Sequence, residues 1–469
     1  MFLFNNETEN INRIVTNGAQ TAVSNKRLIE MEIEKFKVSR KRREMLDGER
    51  YFSGNHDILK RKRTVIGEDG DLTSIDNLPN NKIVDNQYKK MVIQKVNYLF
   101  SQPVVFRTES DYSALLKKTL DKRFMRLVKN LSKSSLNEGI AWLYVYYDEC
   151  GKIAFKRFSG HEIIPGWKDS EHTMLDYAIR LYEVTVVEGE EENVIERVEV
   201  YDDEGVHYFE LSEGELASVS PYNEPYFNLS NTPFNWTKIP LIPIKFNSME
   251  IPLIRNIKSL QDALNLIVSN FQNAMEEDVR NTILVLMNYD GEDLGQFRKN
   301  LATYGAVKVK SVDGTAGDLK TLQISVNSEN YKAIISVFKK AIIENAMGYD
   351  AKDDKMSGSP NQLNIRSMYS DIDIEANDME TEWQVFFEDL LWFLSSHFYN
   401  MGQGDFENTE VEVIFNRDIL INETEAIDNC VKSQEILSHE TVVANHPWVS
   451  DLERELKLSA ADSFAKGGD

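Results

Sequence analysis

Asp371, Glu375, Asp378 and Glu382 recur at spacings of 4, 3 and 4, which places four carboxylates on one face of a helix. Two-metal hydrolysis needs such carboxylates to converge from several elements, not from one helix. A row of like charge fits a solvated helix face, or a surface lining a water-filled passage that keeps a polyanion from sticking. Lys352 and Lys355 have the opposite sign and bracket Asp353 and Asp354, just ahead of Ser357, Gly358 and Ser359. They read either as a plain solvated loop or as a loop that reaches phosphate. Lys339 and Lys340, on the preceding helix, carry the same two readings.

Catalytic patterns are missing from the rest of the chain. Gly314 and Gly317 followed by Lys320 lack Walker spacing and read as a turn. His439 and Glu440 have no second histidine at zincin spacing, and the seven histidines form no ligand pair on one helix face. Cys150 and Cys430 lie far apart, fit no metal spacing and suit a reducing compartment. The reading is therefore of a protein that is not an enzyme, with no catalytic residues, no metal and no cofactor.

The elements that would position these charges are helices of unusual length. Ile257, Leu260, Leu264, Ile267, Phe271 and Ala274 follow one another at 3, 4, 3, 4 and 3 residues, a narrow seam suited to long helix-on-helix contact. A return helix over about 329–347 carries Tyr331, Ile334, Ile335, Phe338 and Ile342 as a second stripe. Between them, Thr282–Met287, Ala306–Lys310 and Leu319–Ile324 read as short strands, with a helical turn at 292–303. Gly348 is a left-handed helix stop. Ser359 and Pro360 supply an N-cap and a first-turn proline for a third helix reaching about Tyr399, roughly 60 Å long.

Ahead of these lies an α+β body over about 25–246. Helices are expected at Lys26–Leu46, Asp85–Phe100 and Asp111–Asn137. From Ile140 the period switches to strand-like, through Trp142–Tyr147, Ile153–Arg157, Tyr177–Val187, Val194–Tyr201 and His207–Leu211. Turn chemistry at Asp148–Gly151 and Asp202–Gly205 makes hairpins. Residues 1–24 are polar and read as poorly ordered. A strand at Glu410–Phe415 and short acidic helices finish the chain.

The chain has 469 residues, 42% of them apolar, enough for two to four domains. Its formal charge of −23 is uneven. Residues 348–469 hold 26 acids against 8 bases, and residues 188–224 hold 13 acids against Arg197 alone. Such a surface does not hold nucleic acid tightly, though basic runs at Arg40–Arg43 and Lys60–Arg63 leave room for local contact. No apolar run reaches the roughly 18 residues of a membrane span, and the first residues do not read as a secretory signal. The expectation is a soluble, cytoplasmically made protein.

Several segments in order resemble the portal proteins of long-tailed double-stranded DNA bacteriophages. Tyr51, Phe52, Gly54, His56 and Ile58 follow that family's YYxGxHxI pattern. Asn80–Asn86 and Val96–Pro103 are similar to its NNxIVxN and YLFGxP stretches, with Ser101 where the family commonly has Gly. Pro243–Asn247, Ser357 with Gly358, and Thr441–Glu455 with Pro447 and Trp448 also match in order.

The resemblance implies an α+β portal-type subunit. Its parts would be a wing over 1–246, a first stem helix over 247–280, a small α/β clip over 281–327 and a second stem helix over 328–347. A tunnel loop over 348–360, a long wing helix over 361–405 and a strand with crown helices over 406–469 would follow. It implies a ring of about twelve copies at one vertex of the virion's capsid, assembled in the host cytoplasm, through which DNA is packaged and ejected. Implied partners are the terminase large subunit, a head–tail adaptor, and the major capsid and scaffolding proteins, with no membrane. Lys352, Lys355, Lys339 and Lys340 would touch DNA. Asp371, Glu375, Asp378 and Glu382 would line the tunnel, and Leu260, Leu264, Ile267 and Phe271 would pack subunits. The rivals are another ring-shaped connector or adaptor with no motor-docking role, and a nuclease built on the carboxylate row.

Overall fold

The computed structural model describes residues 26–66, 71–74, 79–188, 191–219, 223–229, 232–278, 282–287, 318–323, 328–350, 362–417, 423–449 and 455–459. Its helices are, in chain order, α1 (Lys26–Val38), α2 (Arg40–Ser53), α3 (Gln87–Leu99), α4 (Ser110–Thr119), α5 (Lys122–Glu138), α6 (Ile254–Asp278), α7 (Ser328–Asn345), α8 (Gln362–Asn400), α9 (Glu423–Ser433) and α10 (His439–Ala444). The class is α+β, as the sequence implies. The chain divides into two compact units, one of residues 1–54, 88–258 and 343–469, the other of 55–87 and 259–342.

The first unit is built on two antiparallel sheets. Strands β6 (Ile163–Trp167), β7 (Leu175–Glu188), β8 (Glu191–Asp202), β9 (Gly205–Ser212) and β10 (Glu215–Ser218) form a five-stranded meander. Alternation sorts its faces. Ile179 and Leu181 of β7 with Val198 and Val200 of β8 pack onto Leu28, Ile29 and Ile33 of α1, as a period of two requires. The intervening residues make a polar cluster. Arg180 donates to Glu199 at 3.1 Å while Tyr182 and Tyr201 each donate to Glu199 at 2.7 Å. The Arg180 guanidinium lies 3.9 Å from the Phe158 ring centre and 4.0 Å from that of Tyr182.

The second sheet is β13 (Leu241–Lys245), β4 (Ile140–Tyr147) and β5 (Ile153–Phe158), in that order. Helix α8 packs on β13, and α5 packs on β4. Trp383, Phe386, Phe387, Leu390, Phe393 and Leu394 are buried along the C-terminal half of α8. β16 (Glu412–Ile414) pairs with β3 (Val105–Arg107).

Three expectations are corrected. The helix expected over 26–46 breaks at Ser39, whose extended backbone (φ −65°, ψ 149°) caps α2 by accepting from the Arg42 N–H at 3.1 Å. The helix expected over 111–137 is likewise two, because Asp121 caps α5 through the N–H groups of Arg123 and Phe124. The left-handed residue ending α7 is Met347 (φ 47°), not Gly348. A Cβ on Gly348 would sit 2.7 Å from the Met91 sulfur and 2.8 Å from Gln94 Oε1, so those two flexible side-chain ends would have to move aside.

Among the described residues the second unit holds two antiparallel strand pairs, β1 (Thr64–Ile66) with β2 (Leu72–Ser74), and β14 (Thr282–Met287) with β15 (Asp318–Gln323). The latter lie within one residue of two of the expected strands. The third expected strand, Ala306–Lys310, and the turn at 292–303 lie outside the described residues, as do the expected caps Ser359 and Pro360.

Candidate functional site

Helix α6 differs from the expected seam in what it buries. Gln261, Asn265, Ser269 and Asn273, four residues apart, are at most 4% exposed. Each bonds the backbone of the extended segment 81–85. The Asn81 N–H donates to Asn273 Oδ1 at 2.7 Å, the Ile83 N–H to Ser269 Oγ at 2.9 Å and the Asp85 N–H to Asn265 Oδ1 at 3.0 Å. Gln261 Nε2 donates to the Asp85 carbonyl at 2.7 Å. The spacings match: four helical residues rise about 6.0 Å and two extended residues about 6.6 Å. Asn265 Nδ2 also donates to Nδ1 of the fully buried His56 at 2.8 Å. Sequence reasoning missed this ladder. Its signal was available as Gln, Asn, Ser and Asn recurring every fourth residue.

The apolar seam is split. Leu264 is fully buried, while Leu260, Ile267 and Phe271 are half-buried. Phe271 meets Tyr331 of α7 with ring centres 4.9 Å apart. On α7 only Ile342 of the expected stripe is buried. Tyr331, Ile335 and Phe338 are half-buried, and Ile334 is 42% exposed. Leu266 and Met275 on α6 and Val337 on α7 are exposed as well, Val337 at 65%. Two helices thus keep a substantial apolar surface in solvent.

Of the four lysines, Lys339 pairs with Asp85 at 2.7 Å, so its ammonium is engaged within its own chain. Lys340 is exposed on α7. Lys352 and Lys355 lie outside the described residues.

The four carboxylates on α8 do share a side of that helix, but their surroundings differ. The buried stripe runs through Ile372, Ala376, Met379 and Trp383, and the acids flank it. Asp371 and Asp378 are exposed. Glu375 pairs with Lys95, whose side chain is 1% exposed and also donates to the Met347 carbonyl at 3.1 Å. Burial pulls the Lys95 ammonium down to about 7 against the opposing pull of Asp371. Glu382 is half-buried, and its carboxyl is raised by burial first, with Glu250 and Asp378 adding and Lys245 opposing.

Among the described residues no three His, Cys, Asp or Glu are arranged to hold a metal ion, and no helix is long and apolar enough to cross a membrane. What the geometry offers is charge, long helices and exposed apolar stripes.

The family model described as phage portal protein, SPP1 Gp6-like, matches residues 34–465. The portal protein of Bacillus phage SPP1 is 27% identical over 460 residues, covering 96% of this chain and 89% of that protein. The portal protein of Clostridium phage phiCD119 is 26% identical over 446 residues, covering 91% of this chain and 95% of that one. A chain solved in the neck of an empty GTA particle aligns more loosely, at 11% identity and a TM-score of 0.40, over 76% of this chain and 87% of that one.

Proposed function

Because the chain belongs to the SPP1 Gp6-like family of phage portal proteins, we propose that copies of it form a closed ring at one capsid vertex of the virion, through which double-stranded DNA is packaged and later leaves. The observation that carries this reading is the family match across residues 34–465. The exposed apolar residues Leu266, Met275, Ile334 and Val337 support it physically. Ile334 and Val337, three residues apart, set an apolar strip on one side of α7. A head-to-tail ring would cover it, since each copy then offers one face to the next.

In this reading α6 and α7 are the stem and residues 281–327 the clip, which meets the terminase motor during packaging and the head–tail adaptor afterwards. Residues 1–246 and α8 form the wing, facing capsid and scaffolding proteins. The ring is a conduit, not an enzyme. Asp371 and Asp378 are the two acids of the α8 row free to present charge to a passage, and like charge lowers DNA adhesion. Lys352 and Lys355 would give brief phosphate contact.

Electron microscopy of the purified protein tests the reading. Rings with an axial hole are expected, and a compact monomer at all concentrations overturns it. Rings lacking residues 290–304 should lose terminase binding, and motor binding that survives this deletion overturns the clip assignment.

A further inference from the structure

Glu138, the last residue of α5, is fully buried, and its two oxygens are treated differently. Oε2 accepts from the His161 N–H at 2.7 Å and from His161 Nδ1 at 3.1 Å. Oε1 is buried and accepts from none of these groups. The Glu49 carboxyl of α2 stands beside it, against the adjoining Asn137 side chain. Two ionised carboxylates cannot hydrogen-bond, because neither has a proton to give. A buried carboxylate oxygen left bare costs on the order of 1–3 kcal/mol. One proton between the two groups resolves both difficulties.

We propose that Glu49 and Glu138 share a single proton in the folded protein, as a carboxylic acid–carboxylate bridge in which Glu49 donates to Glu138 Oε1, and that losing this proton loosens the junction of α2 with α5.

The surroundings favour this arrangement. The helices touch backbone to backbone at this point, since a Cβ on Gly48 would lie 1.8 Å from the Asn137 carbonyl oxygen. Glu138 is fully enclosed there, and Glu49 is half-buried. Asn137 Nδ2 donates to Glu49 Oε1 at 3.4 Å, and the Tyr88 hydroxyl of α3 donates to Asn137 Oδ1 at 2.9 Å. The titratable groups facing the pair are Tyr88, Arg157 of β5 and His161 of the turn before β6. Arg157 steadies the remaining charge of the pair, though its NH1 is taken up by Ser134 Oγ. His161 is pushed down by burial but held up by Glu138, with a net rise. It therefore supports Glu138 as the partner that stays ionised. Burial, then the charge of Glu138, lifts the Glu49 carboxyl from 4.5 to about 7. The folded protein binds this proton more tightly than the unfolded chain does. The contribution of Glu49 to stability therefore falls as pH rises from 4.5 to about 7 and stays low above that.

The test compares the wild-type protein with Glu49→Gln, whose amide donates as the protonated acid does. Denaturation midpoints should coincide near about pH 4 and diverge through the window above, with the variant the more stable beyond about pH 7. Infrared spectra should show a protonated carboxylic acid in the wild-type protein at neutral pH. That band should be missing in Glu49→Gln and should fade in the wild type as pH rises. Glu138→Gln, which also removes the need for the shared proton, should lose the same band. Parallel stability profiles for wild type and Glu49→Gln overturn the proposal. So does a carboxylic acid band that survives in both variants.

Discussion

Glu250 Oε1 accepts from His172 Nδ1 at 2.6 Å, and both residues have left-handed backbones, with φ of 54° and 57°. Positive φ is uncommon outside glycine, and each such placement costs on the order of 1 kcal/mol or more. Contacts hold the strain in place. Lys41 of α2 bonds the second oxygen of Glu250, and Lys245 of β13 lies 3.9 Å away. Glu250 thus ties α2, the loop before β7 and β13 together four residues before α6 begins.

The Glu250 carboxyl is depressed to about 2, because its bonds to His172 and Lys41 outweigh burial. Its stabilisation is therefore complete above the ordinary 4.5 and is lost as pH falls from there toward 2. Glu250→Gln should remove that acid-side loss. It should also cost about 3 kcal/mol at neutral pH, by stranding cations around a buried site. Urea denaturation at several pH values measures both. A variant with an unchanged acid profile would show that Glu250 is not the group responsible.

The Lys95–Glu375 pair also gains stability as pH rises, but through relief of a cost. Burial holds the Lys95 ammonium at about 7, so its cost is present below that and is relieved as pH rises from 7 toward 10.5. Glu375→Ala should destabilise by about 3 kcal/mol below pH 7 and by clearly less above it, where the amine sheds its proton. Lys95→Met with Glu375→Leu should match or exceed wild-type stability by about 1–3 kcal/mol. Denaturation of the three proteins at about pH 6 and 9 decides it. A penalty for Glu375→Ala that is equal at both pH values would count against a titrating Lys95.

Much of the fold was legible because period and turn chemistry are local. Strands β4, β5, β7, β8 and β9, helices α7 and α8, and the hairpin turn at Asp202–Gly205 all follow from neighbours in sequence, whereas the short β6 was missed. The breaks at Ser39 and Asp121 were missed because a capping residue and an ordinary surface residue look alike until the chain turns. The polar ladder of α6 was missed for a different reason. A partner made of bare backbone, residues 81–85, asks for amides and hydroxyls where a helical partner would ask for leucines.

That ladder makes a specific demand. Asn265→Ala deprives the Asp85 N–H, His56 Nδ1 and Gln261 Nε2 of one partner at a buried site. Gln261 Nε2 keeps the Asp85 carbonyl, so the Asp85 N–H is the donor that loses its acceptor, and a loss of about 1–3 kcal/mol is expected. Leu266→Ala, on the exposed side of the same helix, should cost about 0.5 kcal/mol or less in the unassembled chain. Equal losses in thermal denaturation would mean that the ladder carries no stability.

The charge on 348–360 can be tested without disturbing the helices. If Lys352 and Lys355 touch phosphate as proposed, Lys352→Glu with Lys355→Glu should leave ring yield unchanged while reducing the DNA packaged or retained per particle, since those contacts would turn repulsive. Genome content at the wild-type level would leave this segment a plain connector.

The ring itself is best tested at a residue that does nothing for the single chain. Val337 is 65% exposed, so Val337→Asp should change the stability of the unassembled chain by no more than about 0.5 kcal/mol. If α7 packs against a neighbouring copy, the same change buries a carboxylate in an apolar contact and should abolish rings in sedimentation. Phe271→Ala provides the contrast. Its ring packs on Tyr331 within one chain and is half-buried there, so truncation should cost the single chain about 2 kcal/mol, less than the ~3–5 of a fully buried phenylalanine. It should lower ring yield through both fold and interface. Val337→Asp should separate the two, giving a folded chain that does not assemble. Rings at wild-type yield from Val337→Asp would move the subunit contact away from this face of α7.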